Sequence, residues 1–270
     1  MNTPLISVVM ATFNDDATFL KIAIDSIIRQ TLTDWEFIIV DDSTEQSTID
    51  CLCNYASQDN RIRLIRNEQQ LGFVASLNKG VSLAQGQYIA RMDGDDISYP
   101  DRFQKQVAFL QQNNQYDVVG SVINIIDGNG KVTSQIHFRE KDIPLRLFTA
   151  FRCPMQHGSV IMRRKICDEN VPLYDEQFQK AEDLELWLRL MKNGYKLYNI
   201  QEPLFCFRVL GNYAEKRNYR HFAFNLRARL KNFTWRYPFT GTVGIFMSVI
   251  YRFVPHFIKK RVYKHLNEKL

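Results

Sequence analysis

The first hundred residues alternate in kind. Short, unbroken apolar runs rich in β-branched residues, such as residues 5–12 and 35–40, are separated by stretches where apolar side chains return every three or four positions. Phe19, Leu20, Ala23, Ile24, Ile27 and Ile28 are the clearest case. An uninterrupted apolar run suits a strand buried on both faces, and three-and-four spacing suits a helix covering it. Further strands are expected at 61–65 and 87–91, with helices over about 47–57 and 73–85, the second stopped by Gly86. This strand–helix–strand–helix order predicts right-handed crossovers and a mostly parallel, Rossmann-like α/β sheet with helices on both faces.

The second half is less regular. Pro100 opens a helix over about 101–112, and strands at 117–126 and 131–138 flank a hairpin-type turn, Asp127-Gly-Asn-Gly130. A helix over 141–151, a strand over 156–162 and a helix over 181–193 closed by Gly194 complete the pattern. At 45% hydrophobic and 24% charged residues in a chain of 270, disordered and collagen-like classes are excluded. Five cysteines, an odd number without metal-type spacing, fit a reducing compartment. The start Met-Asn-Thr-Pro lacks the leading cation of a signal peptide, and no stretch reaches about 18 apolar residues, so a cytoplasmic protein is expected.

Two of the strands run into clusters of acid: Val40 into Asp41-Asp42, and Arg91 into Asp93-x-Asp95-Asp96. Open parallel sheets bind ligands outside the C-terminal ends of their strands, so both clusters fall on the binding edge. Three carboxylates within four residues repel one another, and a divalent cation sharing its shell with substrate phosphates relieves that repulsion. Neither a G-x-x-x-x-G-K-[ST] loop nor a G-x-G-x-x-G after the first strand is present, which removes the P-loop and ordinary dinucleotide readings. A diphosphate ligand held through metal remains.

Several blocks occur in order: Pro4 to Asn14, Val40-Asp-Asp-Ser43, Leu71-Gly72, Asn78-Lys-Gly80, Ala84-x-Gly86-x-Tyr88-Ile89, Met92-Asp-Gly-Asp-Asp96 and Ala181-Glu-Asp-Leu-Glu-Leu-Trp-Leu188. Together, over about residues 4–208, they resemble a GT-A fold, family 2 inverting glycosyltransferase. The resemblance implies a nucleotide-diphosphate sugar donor, most often a UDP-sugar, with Mn²⁺ or Mg²⁺. It implies that Asp95 ligates the metal and that Asp93 touches ribose or metal. Asp96 either supports the loop or adds a ligand. Asp42, with Asp41 beside it, would accept the uracil ring N–H, while Thr12, Phe13 and Asn14 line base and ribose. Asn78 would stand near the nucleotide or simply on a helix surface. Asp183 matches the catalytic base that takes the acceptor hydroxyl proton, although acids also favour a helix start. Glu182 adjoins it on the acceptor side. His157 would line the diphosphate or metal, or be a structural histidine; Trp187 would stack on an acceptor sugar, or be core.

Charge divides the chain unevenly. Residues 211–270 hold 13 lysines and arginines against two acids, while residues 1–210 hold 22 against 27. Arg217, Arg220, Arg227, Arg229 and Lys231 stud a helix-like stretch, and no charge interrupts residues 237–251. In a helix, Phe246, Val249, Ile250, Phe253 and Phe257 share one face, with Arg252 and Lys259 turned away and Lys259-Lys260-Arg261 following. That describes a basic amphipathic tail for an anionic membrane surface; packing on the catalytic domain is the plainer alternative, and nucleic acid lacks any accompanying module. The expected organisation is a catalytic domain over 1–210, with a nucleotide-sugar half at 1–98 and an acceptor half at 99–210, followed by the tail at 211–270. The expected protein works on the inner face of the cell membrane, with a polyprenyl-diphosphate-linked saccharide as acceptor in O-antigen or capsule-type assembly. A nucleotidyltransferase and a non-catalytic membrane scaffold are the alternatives from other classes.

Overall fold

The computed structural model describes residues 3–167, 171–210, 219–235 and 237–253. Four parallel strands form the first half of the sheet: β1 (Ile6–Thr12), β2 (Trp35–Asp41), β3 (Ile62–Arg66) and β4 (Tyr88–Arg91). Every residue of β1, β2 and β4 is buried, which is why each reads as a mostly apolar run. Alternate side chains leave a strand on opposite faces. Val8, Met10, Phe37 and Ile39 accordingly pack with α1 (Ala17–Ile28) and α2 (Gln46–Gln58). Val9, Ala11, Ile38 and Val40 pack with α3 (Phe73–Ser82). Gly80 lets α3 approach closely, since a Cβ there would lie 2.6 Å from Val9 Cγ1.

Beyond β4 the sheet becomes mixed. After β5 (Ile97–Ser98) and α4 (Arg102–Gln112) come β6 (Val118–Ile126) and its hairpin partner β7 (Val132–Ile136). Then follow α5 (Asp142–Phe148), β8 (Ile161–Arg163), α6 (Glu182–Lys192) and β9 (Leu197–Arg208). The strand order is β3-β2-β1-β4-β8-β6-β9-β5, with β8 antiparallel to both β4 and β6, and β9 parallel to β6. The two halves foreseen at 1–98 and 99–210 therefore share one hydrogen-bonded sheet.

The strand expected from residue 156 begins later, because His157–Ser159 form a 3₁₀ turn. β9 and β5 were not foreseen. Pro203 and the polar pair Gln201-Glu202 interrupt the apolar pattern of β9, and the register shifts opposite Ser121 and Val122 absorb that interruption.

Beyond residue 210, α7 (Tyr219–Lys231) packs on α6, and α8 (Pro238–Phe253) packs on α7 and α5. Arg229 is buried and donates to Thr149 O at 2.6 Å. Lys231 pairs with Asp175, and Arg227 donates to Gln177 Oε1 at 2.5 Å. These three cations, expected to serve an anionic partner, are engaged by the protein itself. Arg217, Phe257 and the Lys259-Lys260-Arg261 cluster lie outside the described residues, and so does the side chain of Arg220.

Candidate active site

Strands β2, β1 and β4 are neighbours and parallel, so their C-terminal ends reach one edge together. The loops that follow enclose an open cleft of about 230 Å³. Thr12, Phe13, Asp15, Asp42, Asp93 and Asp95 all face it. The structure thus brings together five of the sequence-derived residues and adds Asp15.

Asp42 sits at the end of β2 with both oxygens engaged. Asn67 Nδ2 donates to it at 2.6 Å, Gly72 N at 2.7 Å, and Leu71 N and Ser76 Oγ at 3.2 Å each. Burial works to raise its pKa, but these four donors outweigh burial and hold the carboxyl below its usual range. They also fix the loop before α3, where Gly72 takes φ +84°, a conformation glycine adopts freely. Its neighbour Asp41 is turned inward: it accepts from Thr12 Oγ1 and Ser43 N, each at 2.9 Å, and Arg66 Nε lies 3.1 Å away. Asp41 is a brace between the first two loops rather than a nucleotide contact. Asn14, in the left-handed region at φ +52°, accepts from Thr44 N at 2.8 Å and Glu45 N at 2.9 Å. Its amide therefore caps the start of α2 and is not turned to a ribose.

The loop after β4 is the acidic centre. Arg91 is buried beneath it and its guanidinium pairs with Asp93. Asp96 is fully buried, accepts from Arg208 N at 2.8 Å and has its second oxygen unpartnered among the described residues. Burial first, then the charges of Asp93 and Asp95, push its pKa well above the ordinary value. Of its two expected roles, the loop support is the one this geometry performs. Arg208 closes the assembly by donating to Asp95 O at 2.7 Å and Asp127 O at 2.9 Å. Asp15 leans on the same loop, for a Cβ on Gly94 would lie 2.7 Å from its Oδ2. Burial, then Asp95 and Asp93, push the Asp15 carboxyl up to about 7. Sequence reasoning missed Asp15 because the adjoining Asp16 caps α1 through its side chain, and that local duty explains an acid there.

Among the described residues no three His, Cys, Asp or Glu side chains form a ready-made metal cage. A cation would therefore rest on one or two carboxylates of this loop and on oxygens of its ligand. The donor set fits that demand: the hard carboxylate oxygens of Asp15, Asp93 and Asp95 line one cleft. His157 fits it less well. The ring is buried, Nε2 lies 2.8 Å from the Tyr174 hydroxyl, and burial followed by Arg91 holds its pKa well below the ordinary value. It is a neutral, structural histidine. Its turn nevertheless shapes the site, because a Cβ on Gly158 would lie 2.8 Å from Asp93 Oδ2.

The acids expected on the acceptor side stand at the start of α6. Ala181 precedes it in the left-handed region at φ +58°. Asp183 Oδ1 accepts from Leu184 N at 2.7 Å, and Oδ2 accepts the Cys153 thiol at 3.3 Å. Burial, then Asp183, push the Glu182 carboxyl up to about 7, with Asp93 a minor contributor. Trp187 is fully buried in the core beside His157, so it cannot stack on an acceptor sugar. Asn78 holds Tyr174 from both sides, accepting from its N at 2.9 Å and donating to its O at 2.9 Å. It pins α3 to the 171–180 segment and does not face the cleft.

A mostly parallel α/β sheet with acids at the C-terminal ends of its strands defines the class, and comparison with known proteins narrows it. The Glycosyl transferase family 2 profile matches residues 7–170. An uncharacterised glycosyltransferase of Methanocaldococcus jannaschii is 32% identical over 96% of this chain and 93% of its own. The O-antigen biosynthesis glycosyltransferase WbnJ of Escherichia coli is 29% identical over 94% of this chain and 97% of its own. Coverage this wide carries the similarity past residue 210. Among solved structures, residues 1–349 of S. aureus TarS in complex with UDP-GlcNAc superpose with a TM-score of 0.65 at 20% identity, over 84% of this chain and 66% of that one. The mannosyltransferase PcManGT of Pyrobaculum calidifontis, in complex with GDP-Man and Mn²⁺, gives 0.66 at 15% identity, over 91% and 70%. The chain belongs to glycosyl transferase family 2 and has the GT-A fold.

Proposed function

We propose that this glycosyltransferase moves a sugar from a UDP-sugar to a hydroxyl of a lipid-linked saccharide in surface polysaccharide assembly, with inversion and with a divalent metal. The observation that carries the reading is the single cleft at the ends of β1, β2 and β4 that Asp15, Asp42, Asp93 and Asp95 line together. Such a metal, Mn²⁺ or Mg²⁺, would be held by Asp95 with Asp93 or Asp15, and it would supply charge neutralisation at the departing diphosphate. Asp183 takes the proton of the attacking hydroxyl from the acceptor side. Glu182, with its raised pKa, contributes a hydrogen-bonding carboxyl to the same acceptor. Thr12 and Phe13 line the base and ribose. Contact between Asp42 and a uracil N–H displaces one of its longer donors, Leu71 N or Ser76 Oγ.

The choice of UDP draws support from TarS, and the Mn²⁺ and GDP-Man of PcManGT support metal while keeping guanine as a competitor. WbnJ supports the polysaccharide setting. Among the described residues no helix is long and apolar enough to cross a membrane, which accords with a peripheral place on the cytoplasmic face.

Thermal shift with a panel of UDP- and GDP-sugars, with and without Mn²⁺, tests the donor. We expect stabilisation by one UDP-sugar, deepened by Mn²⁺. Asp183→Asn is expected to keep that shift and lose at least about a hundredfold in transfer rate. Transfer at the parent rate would remove Asp183 from the mechanism, and release of diphosphate instead of UDP would make the protein a nucleotidyltransferase.

A further inference from the structure

Large apolar side chains are exposed on two elements that meet. On α5 and the turn after it, Ile143, Leu147 and Phe151 recur every fourth residue and are 71%, 48% and 58% exposed. That spacing puts Ile143 and Leu147 on one side of α5, and Phe151 follows in the turn after it. On α8, Phe246 is 64% exposed, with Met247, Val249 and Ile250 beside it. The two elements touch, since the place of a Cβ on Gly244 lies 3.4 Å from Ala150 Cα. Trp235, just before α8, is 83% exposed. Scattered exposed apolar residues need no explanation; a concentration of this kind on adjoining elements does.

The rim is cationic. Arg139 and Arg152 flank α5, with their guanidinium groups 5.5 and 5.9 Å from the Phe148 ring centroid. Lys141 is exposed at the start of α5. Two copies meeting through this face would bring like charges together, which disfavours self-association. An anionic lipid surface satisfies both the apolar stripe and the basic rim.

We propose that the α5 stripe and α8 form one membrane-docking face, so that the catalytic body itself, and not the tail alone, lies against an anionic bilayer. Phe151 stands two residues before Cys153, whose thiol donates to Asp183. The docked face therefore ends next to the proposed acceptor side, and an acceptor carried on an apolar chain reaches Asp183 along the bilayer surface. This orientation rests on the transferase reading; lipid binding by the face does not.

The test is flotation or sedimentation of the full chain with vesicles of equal parts phosphatidylglycerol and phosphatidylcholine, and with phosphatidylcholine alone. We expect binding to the anionic vesicles only. Combined Ile143→Ser, Leu147→Ser and Phe151→Ser is expected to weaken it about tenfold or more, with melting temperature and the UDP-sugar thermal shift unchanged. Val132→Ser, an exposed residue on β7, serves as control and is expected to bind like the parent. Parent-like binding by the triple variant, or no binding by the parent, overturns the proposal. So does loss of a parent dimer in the triple variant without loss of vesicle binding. If the triple variant melts early, Phe151→Asn and Leu147→Asn singly replace it, and unchanged anionic-vesicle binding by both is the overturning result. Failure of the transferase reading would show separately, as absence of any nucleotide-sugar shift in the parent.

Discussion

Asp15 and Glu182 carry protons that ordinary carboxyls have shed at neutral pH. The folded Asp15 carboxyl titrates at about 7 against 3.8 for the free side chain, and the folded Glu182 carboxyl at about 7 against 4.5. Between those limits the native state binds more protons than the unfolded state, so stability falls as pH rises from about 4 to about 7. The metal-free protein is therefore expected to melt at a lower temperature at pH 8 than at pH 5, with a flatter profile in Asp15→Asn. Added Mn²⁺ competes with the same protons, so its stabilisation should be larger at pH 8 than at pH 5. Equal metal shifts at the two pH values would take Asp15 and its neighbours out of the cation site. Differential scanning fluorimetry across pH, with and without Mn²⁺, reads all three outcomes.

Elements place these residues, and their legibility followed their environment. Strands β1, β2 and β4 are buried from end to end and mostly apolar, with Ser7, Glu36 and Arg91 the buried exceptions, and the acids at their ends stand out against that background. β9 was hidden by Pro203 and by register shifts that only its partner β6 reveals. Site residues divided on a similar line. Asp42, Asp93 and Asp95 reach the cleft because they directly follow strands, whereas Asn14, Asp41 and Asn78 are polar groups that the scaffold spends on capping and bracing. Sequence cannot distinguish those uses, since a hydrogen bond to the backbone of Tyr174 or Thr44 leaves no local pattern. Trp187 belongs to α6 as a core side chain. Trp187→Ala is expected to cost about 3–5 kcal/mol in urea denaturation, and Trp187→Phe distinctly less. Both should keep the nucleotide-sugar shift wherever they remain folded, and a selective loss of donor or acceptor binding in folded Trp187→Phe would return this residue to the site.

At the scale of the whole molecule, the basic segment after residue 210 is not an appendage. Glu185, fully buried in α6, accepts from Arg189 at 3.1 Å and from Asn232 at 3.3 Å, with Lys231 at 3.9 Å. Removing residues 211–270 takes away Asn232 and Lys231 and uncovers the α6 surface beneath α7. Truncation at 210 is therefore expected to lower the melting temperature by several degrees or to yield insoluble protein, beyond any effect on lipid binding. A truncated chain as stable as the parent would show that α7 adds nothing to the body. The charge excess that set this segment apart in the sequence is partly internal, because three of its cations are engaged by the protein itself.

The continuous run β1–β4–β8–β6 joins the part that carries the cleft to the second half of the chain in one sheet, so the proposed donor and acceptor sides share one rigid floor. Ligand capture must then come from loops flexing over a rigid floor, not from two lobes swinging shut. Exchanging the segments at 67–72 or 171–180 is accordingly the economical route to altered sugar preference, since the frame that holds the reacting groups would be left as it is.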